Sequence, residues 1–525
     1  MQPLRELSCA KSCPPIGASS KIDLYGTGRK DVGMSALAAV AKQYLGEPLN
    51  KGSQASDWSV PNLSDEQLSY ALRDTEILID LSDELVDKLT GIGMGAIVKL
   101  ESRTLPALVD MALNGFPADK TVALEMAEKY RREAQTALAK VRTLLPQDTA
   151  PHGKAWNWNS DAHIREVLRL LGANIDKKGY PKTDKTKEPS TAAKALRTIK
   201  SPTAACEWVD AYLAYDGLQK ISGDFASKYA RLIQEDGTIK GSFDTVSTGR
   251  LSCRKPNLQQ VPKRGEQQTK EGMRIRDIFR PAEGDVFIIA DFAQVELLLA
   301  ATIAKRETGK RGHMLEVFQQ GKVDIHKVTA ASLTGRPVSK VTSAERSLAK
   351  AVNFGLVYGA EAETLMEYAR DNYSVDMSLE DSKAYRKAFF ERYPELEAWH
   401  RLVEACCDRD EEYSTTPMGR RRKLPRWISS GKIAHTTAKN APVQGTGADA
   451  IKLTLAKLFE DRHNCPGNPR LNVSVHDEVV LSIVEEHAAT AVEWVEKHMA
   501  DAEREAVGDP ESPVVVEVEA KKSWA

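Results

Sequence analysis

The stretch Asp285–Ala360 limits the possible folds more than any other part of the sequence. It opens with DVFIIAD, in which the apolar run 286–290 predicts a buried strand that ends at Asp291. Farther along, cations and aromatic rings recur at every fourth position, which places them on one face of a helix: Arg346, Lys350, Phe354 and Tyr358. A carboxylate opposite a cationic helix face predicts a metal site that faces a phosphate-rich ligand.

A second carboxylate comes from LNVSVHDEVVLSIV at 471–484. β-Branched runs on both sides of His476 and Asp477 predict a hairpin whose tight turn carries Asp477. Such a hairpin beside the end of another strand would place Asp477 near Asp291, where two carboxylates can share two Mg²⁺ ions. Each aspartate taken alone is more typical of a turn or a helix cap, so only the pair favours the metal site.

The length of 525 residues predicts three or four units or subdomains rather than one core. With 73 Lys and Arg against 74 Asp and Glu, a polyanion would have to be bound by local basic patches. No run of about 18 apolar residues is present, so we expect no transmembrane helix. The first thirty residues lack the apolar core of a secretory signal, whereas their Ser and Lys content leaves a transit peptide as an alternative. The 7 cysteines without CxxC spacing are typical of reduced thiols, so we expect a cytoplasmic protein without a structural zinc site.

Near the N-terminus, Ser64 precedes acidic residues and a helical pattern that carries Tyr70 and Asp74 one turn apart. Spacing alone is typical of an amphipathic helix with an exposed aspartate. The segment DW followed by QLxYAxxD nevertheless resembles the third motif of the DEDD-class 3′–5′ exonucleases, which hold two metal ions with four carboxylates. The D-x-E and N-x-x-x-[FY]-D motifs of that class do not occur before Trp58, so we expect residues 1–98 to form a truncated, inactive exonuclease-like α/β domain.

Two polar segments farther along offer possible contacts to a nucleic acid. The loop 175–195 contains lysines that suit either a flexible surface connection or a phosphate-backbone contact: Lys177, Lys178, Lys182, Lys185 and Lys187. The block TGRLSCRKPNLQQVP at 248–262 offers donors that can read base edges or sugars: Arg250, Asn257, Gln259 and Gln260. Either segment would be unremarkable alone, so its meaning depends on the motifs that follow.

The order of these motifs resembles that of the family A DNA polymerases, which are similar to bacterial DNA polymerase I. The motifs are TGRLS…PNLQ, DFAQVEL, DIH, RxxxKxxxFGxxYG, QGTxAD and VHDE, and the resemblance covers roughly residues 100–525. It implies a mixed α/β (α+β) chain with the right-handed polymerase fold. The implied divisions are the thumb at 99–240, the palm at 241–300 and 436–525, and the fingers at 301–435.

The resemblance also implies roles for individual residues. Asp291 and Asp477 match the catalytic aspartates, which hold two Mg²⁺ ions together with the backbone carbonyl of Phe292. The positions that match nucleotide-binding residues are Gln294, Glu296, His326, Arg346, Lys350, Phe354 and Tyr358. The positions that match DNA-binding residues, at the minor groove or the primer terminus, are Arg250, Asn257, Gln260, Asn440, Gln444 and His476.

Two of these matches predict substrate preference. Glu296 matches a steric gate that fills the space of a ribose 2′-hydroxyl, so deoxynucleotides are the expected substrate. Phe354 stands where some members carry Tyr, and in the family Phe goes with poor acceptance of dideoxynucleotides. The basic run 419–423 matches a further motif, either as a template contact or as a solvated charge cluster.

The sequence therefore predicts a template-directed DNA polymerase that adds deoxynucleotides to a primer 3′ end without proofreading by this chain. The expected partners are primer–template DNA and deoxynucleoside triphosphates, in the cytoplasm of a bacterial or phage-infected cell and with no membrane. A single-subunit RNA polymerase is an alternative that Glu296 argues against. A non-catalytic DNA-binding remnant is disfavoured because both Asp291 and Asp477 are present, and a nuclease is disfavoured because its other carboxylates are missing.

Overall fold

The computed structural model describes residues 37–146, 150, 153, 155–183, 186–262, 274–310, 312–321, 323–427 and 430–525. Helices in the first half of the chain are α1 (Leu37–Leu45), α2 (Asp65–Gly91), α3 (Gly95–Asn114), α4 (Lys120–Thr143), α5 (Asp161–Leu170), α6 (Ala193–Leu196), α7 (Thr203–Gln219) and α8 (Lys228–Leu232). Helices in the second half are α9 (Val295–Thr308), α10 (His313–Gln319), α11 (Ile325–Thr334), α12 (Ser343–Leu356), α13 (Ala362–Tyr373), α14 (Leu379–Arg392), α15 (Pro394–Asp408), α16 (His435–Asp461) and α17 (Ala488–Val507). The strands are β1 (Phe116–Pro117), β2 (Thr238–Ile239), β3 (Ser242–Thr245), β4 (Leu251–Arg254), β5 (Asp285–Phe292), β6 (Tyr413–Thr415), β7 (Arg421–Lys423), β8 (Arg470–Val475), β9 (Glu478–Val484) and β10 (Val516–Lys521).

A four-stranded antiparallel sheet with the order β10-β5-β9-β8 holds the predicted aspartates. β5 lies inside this sheet because its β-branched and aromatic side chains are buried on both faces. Val286 and Ile288 belong to a large core with α9, α16 and α17. Phe287, between them, packs in the second core, where its ring lies 5.3 Å from that of Phe116. The predicted strand is confirmed, with bounds Asp285–Phe292.

β8 and β9 form the predicted hairpin, which is closed by His476 and Asp477. His476 has a φ of 57°, the left-handed backbone conformation that tight hairpin turns use. The register places Val475 opposite Glu478, and Asp291 of β5 lies opposite Glu478 on the other side. The hairpin turn therefore lies beside the end of β5.

The N-terminal helices α1 and α2 pack on each other. Ser64 caps α2 as predicted, in a capping box with Gln67. Ile77 and Leu81 of α2 are buried, whereas a second apolar stripe of the same helix is exposed: Leu68, Leu72, Leu78, Ile79 and Val86. Within 37–98 the structure describes helices and no strand.

Residues 120–232 form a helical unit in which α4 packs along α7. Trp208 is buried there and stacks on Tyr212 with 5.1 Å between the ring centroids. A π-helical segment, Lys220–Ser227, joins α7 to α8. The basic loop lies between α5 and α6 as predicted, and its Lys185 lies outside the described residues. α3 lies apart from this unit, because it packs on α16 and β8.

α12 carries three of the four residues predicted to share one helix face, and a capping box fixes its first turn. The helix ends at Leu356, so the prediction that the helix continues through Tyr358 is wrong. The amide of Ala360 donates to the Gly355 carbonyl at 3.1 Å, which closes the helix end in the manner of a Schellman motif. Tyr358 therefore lies in the turn that follows α12.

Candidate active site

Asp291 and Asp477 lie on adjoining backbone segments at one end of the sheet, as the sequence predicts. The amide of Phe292 donates to the carbonyl of Asp477 at 3.3 Å, so the end of β5 touches the hairpin turn directly. Both aspartate residues are partly accessible to solvent. Acidic side chains at a strand end and in the neighbouring tight turn suit a hard cation.

A third carboxylate, Glu478, follows Asp477 but is buried and already paired. Arg276 Nη1 lies 3.0 Å from Glu478 Oε1, and Trp524 Nε1 donates to the same oxygen at 2.7 Å. Burial lowers the pKa of Arg276, and the charges of Glu478 and Asp291 partly offset this effect. Arg276 thus neutralises Glu478 and adds positive charge near Asp291. Sequence reasoning missed both residues, although Glu478 is an isolated charge in an apolar strand.

Asp291 and Asp477 fit Mg²⁺ only if other groups complete the coordination shell. Within the described ranges, no group of three or more His, Cys, Asp or Glu side chains could hold a metal ion. Mg²⁺ typically takes one or two protein carboxylates and fills its remaining positions with substrate phosphates and water. Phe292, the predicted backbone ligand, adjoins both aspartates through its peptide group. The donor set therefore fits a magnesium site that is completed by a phosphate substrate.

Glu296 lies in the first turn of α9, just beyond β5. Both of its carboxylate oxygens are engaged, because Arg250 Nη2 donates to Oε1 at 2.7 Å and the Tyr358 hydroxyl donates to Oε2 at 3.0 Å. Burial, and then the charge of Glu296, raises the pKa of Tyr358, so the hydroxyl keeps its proton. Three separate segments of the chain thus converge on one carboxylate.

Gln294 joins the end of β5 to α9 and α11. It precedes α9 with a φ of 54°, and its Oε1 accepts the amide of Ile325 at 3.2 Å. Asp324, the residue before Ile325, caps α11 and pairs with Arg346 Nε at 2.6 Å. These contacts anchor the cationic face of α12 to the segment beside the aspartates.

His326 is a buried neutral donor on α11. Its Nδ1 lies 2.9 Å from Asn353 Nδ2, so the imidazole pairs with an amide side chain of α12. Burial, helped by the charges of Arg346 and Lys350, lowers the pKa of His326 to about 4. The ring centroid lies 5.7 Å from that of Phe354. The structure thus brings together the predicted nucleotide-binding residues of α11 and α12.

Four of the predicted DNA-binding residues lie beside Glu296, beside Asp477 or on α16: Arg250, His476, Asn440 and Gln444. His476 adjoins Asp477, and burial together with the charge of Arg250 lowers the pKa of His476. Asn440 and Gln444 lie one turn apart on α16. Asn440 Oδ1 is buried and has no hydrogen-bond partner among the residues that the structure describes.

The other two, Asn257 and Gln260, lie on a loop that is fixed against β8. Asn257 accepts the amide of Gln259 at 3.1 Å and thereby caps the short 3-10 helix Leu258–Gln260. Gln259 Nε2 donates to the Ser474 carbonyl at 3.1 Å, and Gln260 is exposed. The side chain of Asn257 thus has a local structural role that its sequence match does not indicate.

Comparison with known proteins identifies the family. A family model described as DNA polymerase family A matches residues 124–525. The chain belongs to DNA polymerase family A. A second model, described as 3′-5′ exonuclease, matches residues 21–90. The predicted family and fold class are therefore confirmed, whereas the boundaries of thumb, palm and fingers stay predictions.

Relatives of this family A chain include bacterial DNA polymerase I proteins. That of Aquifex aeolicus is 31% identical over 93% of this chain and 81% of the relative, and that of Pseudomonas aeruginosa is 28% identical over 93% and 51%. The thermostable enzyme of Thermus aquaticus is 32% identical over 71% of this chain and 42% of the relative. The chain thus spans about half the length of the Pseudomonas and Thermus relatives.

A solved structure resembles the polymerase over most of its length. The POL domain of Pol1 from M. smegmatis, in complex with DNA primer-template and dNTP, has a TM-score of 0.75 and 26% sequence identity, and the match covers 93% of this chain and 79% of that chain. The right-handed polymerase fold, preceded by an exonuclease-like segment, is thereby shown. No helix in the described part of the polymerase is long and apolar enough to cross a membrane.

The basic run 419–423 of the polymerase is not a single exposed patch. Arg420 is 3% exposed and pairs with Asp449 at 2.6 Å and with Glu101 at 2.7 Å. For Arg420 both predicted alternatives, a template contact and a solvated charge, are wrong. The reason is that its acidic partners lie on α16 and α3 inside the protein.

Proposed function

We propose that this site adds deoxynucleotides to the 3′ end of a primer paired with a DNA template, with two bound Mg²⁺ ions. The observation that carries the proposal is the contact between the end of β5 and the β8–β9 turn, which brings Asp291 and Asp477 together. Family membership supports it, as does the related solved domain, which contains DNA primer-template and dNTP.

Asp291, Asp477 and the Phe292 carbonyl would hold the metal ions. When bound, these ions bring a primer 3′-hydroxyl into line with the α-phosphate and lower the pKa of that hydroxyl. Asp291 at the end of β5 and Asp477 in the β8–β9 turn supply negative charge on a defined backbone, so the site needs little rearrangement to accept cations. Arg276 limits the negative charge of the site because it neutralises Glu478.

The α11 and α12 residues would bind the triphosphate and the incoming base. Arg346 and Lys350 offset the charge that develops on the pyrophosphate leaving group. His326 would offer a ring N–H to a phosphate oxygen without adding a charge, since its pKa is about 4. Phe354 supplies an aromatic face for the base. Gln294 keeps α11 in place against the end of β5 through the Ile325 amide.

Glu296 would set the preference for deoxyribose. Arg250 and Tyr358 hold both of its oxygens, so the carboxylate cannot readily turn away from the space of a 2′-hydroxyl. A buried hydroxyl that loses its hydrogen-bond partners costs about 1–3 kcal/mol. This arrangement disfavours the single-subunit RNA polymerase.

The primer–template contacts are assigned to the residues that carry donors near the site: Arg250, Asn257, Gln260, Asn440, Gln444 and His476. Minor-groove acceptors occur in every base pair, so donors placed there test pair geometry and do not select a sequence. Such contacts suit a polymerase that copies any template.

We also propose that this chain does not proofread and that it works in the cytoplasm of a bacterium or of a phage-infected bacterium. The match to the exonuclease model covers residues 21–90, and the D-x-E and N-x-x-x-[FY]-D motifs of that class do not occur before Trp58. Bacterial relatives support the cellular setting.

Primer extension in Mg²⁺ with either deoxy- or ribonucleotides tests the proposed function. The parent chain should extend with deoxynucleotides, and Asp291→Asn or Asp477→Asn should lower the rate about 100-fold or more, because metal binding supplies several kcal/mol of transition-state stabilisation. Asp87→Asn, on the exposed side of α2, is the matched control and should keep the parent rate. No extension by the parent would refute the polymerase activity, and unimpaired aspartate variants would refute the site.

A further inference from the structure

Four charged side chains form a cluster inside the protein, outside the candidate active site: Glu101 on α3, Arg420 before β7, and Asp449 and Lys452 on α16. The side chains of Arg420, Asp449 and Lys452 are at most 3% exposed. Arg420 lies 2.6 Å from Asp449 and 2.7 Å from Glu101, and Lys452 Nζ contacts the same Glu101 at 2.6 Å. The two positive and two negative charges compensate one another.

Stability alone does not account for such a cluster. The cost of removing charges from water often exceeds the gain from pairing them, and apolar side chains of similar volume can be equally stabilising. Paired charges do, however, impose a defined geometry on the segments that carry them. The Arg420 and Lys452 side chains therefore fix the geometry of the segments that they contact.

The cluster holds both ends of the turn that joins β3 to β4 and leads into Arg250. At the start of this turn, Lys452 Nζ donates to Thr245 Oγ1 at 3.1 Å. At its end, Gly249 lies against the guanidinium of Arg420, and a Cβ atom at Gly249 would be 2.7 Å from Arg420 Nε. The position of Arg250 therefore depends on both cations.

The same cluster supports α16 next to Gln444. A Cβ atom on Gly445 would lie 2.6 Å from Thr416 Cγ2, so the residue that follows β6 packs closely on the helix backbone. Thr416 Oγ1 donates to Asp449 Oδ2 at 2.9 Å and accepts the Arg420 amide at 3.1 Å. Gln444 and Arg250 are thus both fixed relative to Arg420.

We propose that Arg420 and Lys452 are positioning residues that hold Arg250 and Gln444 at a fixed separation, so that both side chains can contact the minor groove of the primer-terminal base pair at once. The inference rests on the proposed function. In this role Arg420 and Lys452 do not touch DNA. They act through the β3–β4 turn and the backbone of α16.

Arg420 suits this role because its planar guanidinium makes three contacts in fixed directions. Nε meets Asp449, Nη2 meets Glu101, and the group also lies against Gly249. A lysine ammonium keeps the charge but lacks the planar fork. Arg420→Lys therefore changes the geometry of the cluster and leaves its net charge unchanged.

The test compares extension from a primer that ends in guanine with extension from one that ends in 3-deazaguanine, which pairs normally but lacks the minor-groove N3 acceptor. In the parent, loss of a hydrogen bond from a charged or amide donor should lower kcat/KM about tenfold or more. In Arg420→Lys, extension from the normal primer should fall, and the ratio between the two primers should fall below about threefold, because the donors no longer meet the acceptor. Lys452→Met should reduce the ratio in the same direction.

Arg462→Lys is the matched control. Arg462 also joins α16 to α3, through Asp110 at 2.8 Å, but it contacts neither the β3–β4 turn nor Gly445 in the hydrogen bonds and ion pairs of the described chain. It should keep the ratio of the parent. A cluster with only a structural role would lower extension from both primers equally and leave the ratio unchanged.

The outcomes separate this inference from the proposed function. Failure of the parent to extend any primer refutes the proposed function itself. A parent that extends but does not distinguish the two primers, or an Arg420→Lys variant that folds and keeps the parent ratio, overturns the positioning role. If circular dichroism shows that Arg420→Lys is unfolded, the ratio of Lys452→Met decides by the same criterion.

Discussion

Glu296 depends on side chains that are distant in sequence. Its partner Arg250 is 46 residues away and its partner Tyr358 is 62 residues away. Arg250 brings a positive charge, whereas Tyr358 brings a neutral hydroxyl whose raised pKa keeps it a donor. Both are charge-assisted hydrogen bonds, because the acceptor is a carboxylate, but only the Arg250 contact also pairs opposite charges.

Selection against ribonucleotides should therefore weaken more when Glu296 is replaced than when its partner Tyr358 is replaced. Glu296→Ala should raise ribonucleotide kcat/KM relative to deoxynucleotide kcat/KM about 10- to 100-fold, because it opens the space of the 2′-hydroxyl. Tyr358→Phe keeps the ring but removes one hydrogen bond worth about 1 kcal/mol, so its effect should be about fivefold. Steady-state incorporation of ribonucleotides and deoxynucleotides measures the ratio of the two kcat/KM values. Tyr385→Phe on α14 is the control and should keep the ratio of the parent. An unchanged ratio in Glu296→Ala would show that another residue selects the sugar.

Residue roles and residue partners differ in how far a sequence can predict them. The motif order predicted Asp291 and Glu296 as site residues, and the structure places them at the end of β5 and in the first turn of α9. The pair Arg276 and Glu478 was missed, because its members are 202 residues apart and only the folded chain brings them together. Arg420 was misread for the same reason, since a run of basic residues does not reveal which of them is buried.

At the scale of elements, the end of α12 is set by its neighbours. His400 on α15 lies with its Nε2 3.0 Å from the carbonyl of Val357, directly after the helix. Lys439 on α16 lies against Gly359 in the same turn and pairs with Glu404. Local patterns predicted the β8–β9 hairpin, because its apolar runs and turn are contiguous, but these distant contacts made the end of α12 unpredictable.

His400 should make the stability of the polymerase depend on pH. Burial, helped by the charge of Lys439, lowers the pKa of His400 from 6.5 to about 4. Between these values the unfolded chain binds more protons, so this stabilisation is complete above pH 6.5 and is lost as the pH falls towards 4. At pH 5 the loss is about 2 kcal/mol.

Urea unfolding at pH 7.5 and pH 5 measures this contribution. In His400→Gln, the free energy of unfolding should fall by about 2 kcal/mol less between these pH values than in the parent, because the titrating ring is gone. His463→Gln removes an exposed histidine and should show the pH dependence of the parent. Equal pH dependence in His400→Gln and the parent would mean that the ring titrates alike in the folded and unfolded chain.

At the scale of the whole molecule, two segments that match different family models share one chain. The family A match covers 124–525 and contains both Asp291 at the end of β5 and Asp477 in the β8–β9 turn, whereas the exonuclease match covers 21–90. The net charge of −1 did not indicate a DNA partner, because many cations pair with acids of the chain itself, as Arg420 does with Asp449. The order of the motifs along the chain was therefore more informative than its composition.

The exonuclease-like segment should leave a mismatched primer end intact. Two-metal hydrolysis needs carboxylates that hold both ions, but Asp74 belongs to no group of metal-binding side chains within the described ranges. Incubation of a mispaired primer–template with the chain and Mg²⁺, without nucleotides, should therefore not shorten the primer. Asp74→Asn should change neither this result nor primer extension, whereas Asp291→Asn should abolish extension only. Shortening by the parent that Asp74→Asn removes would show a working nuclease site.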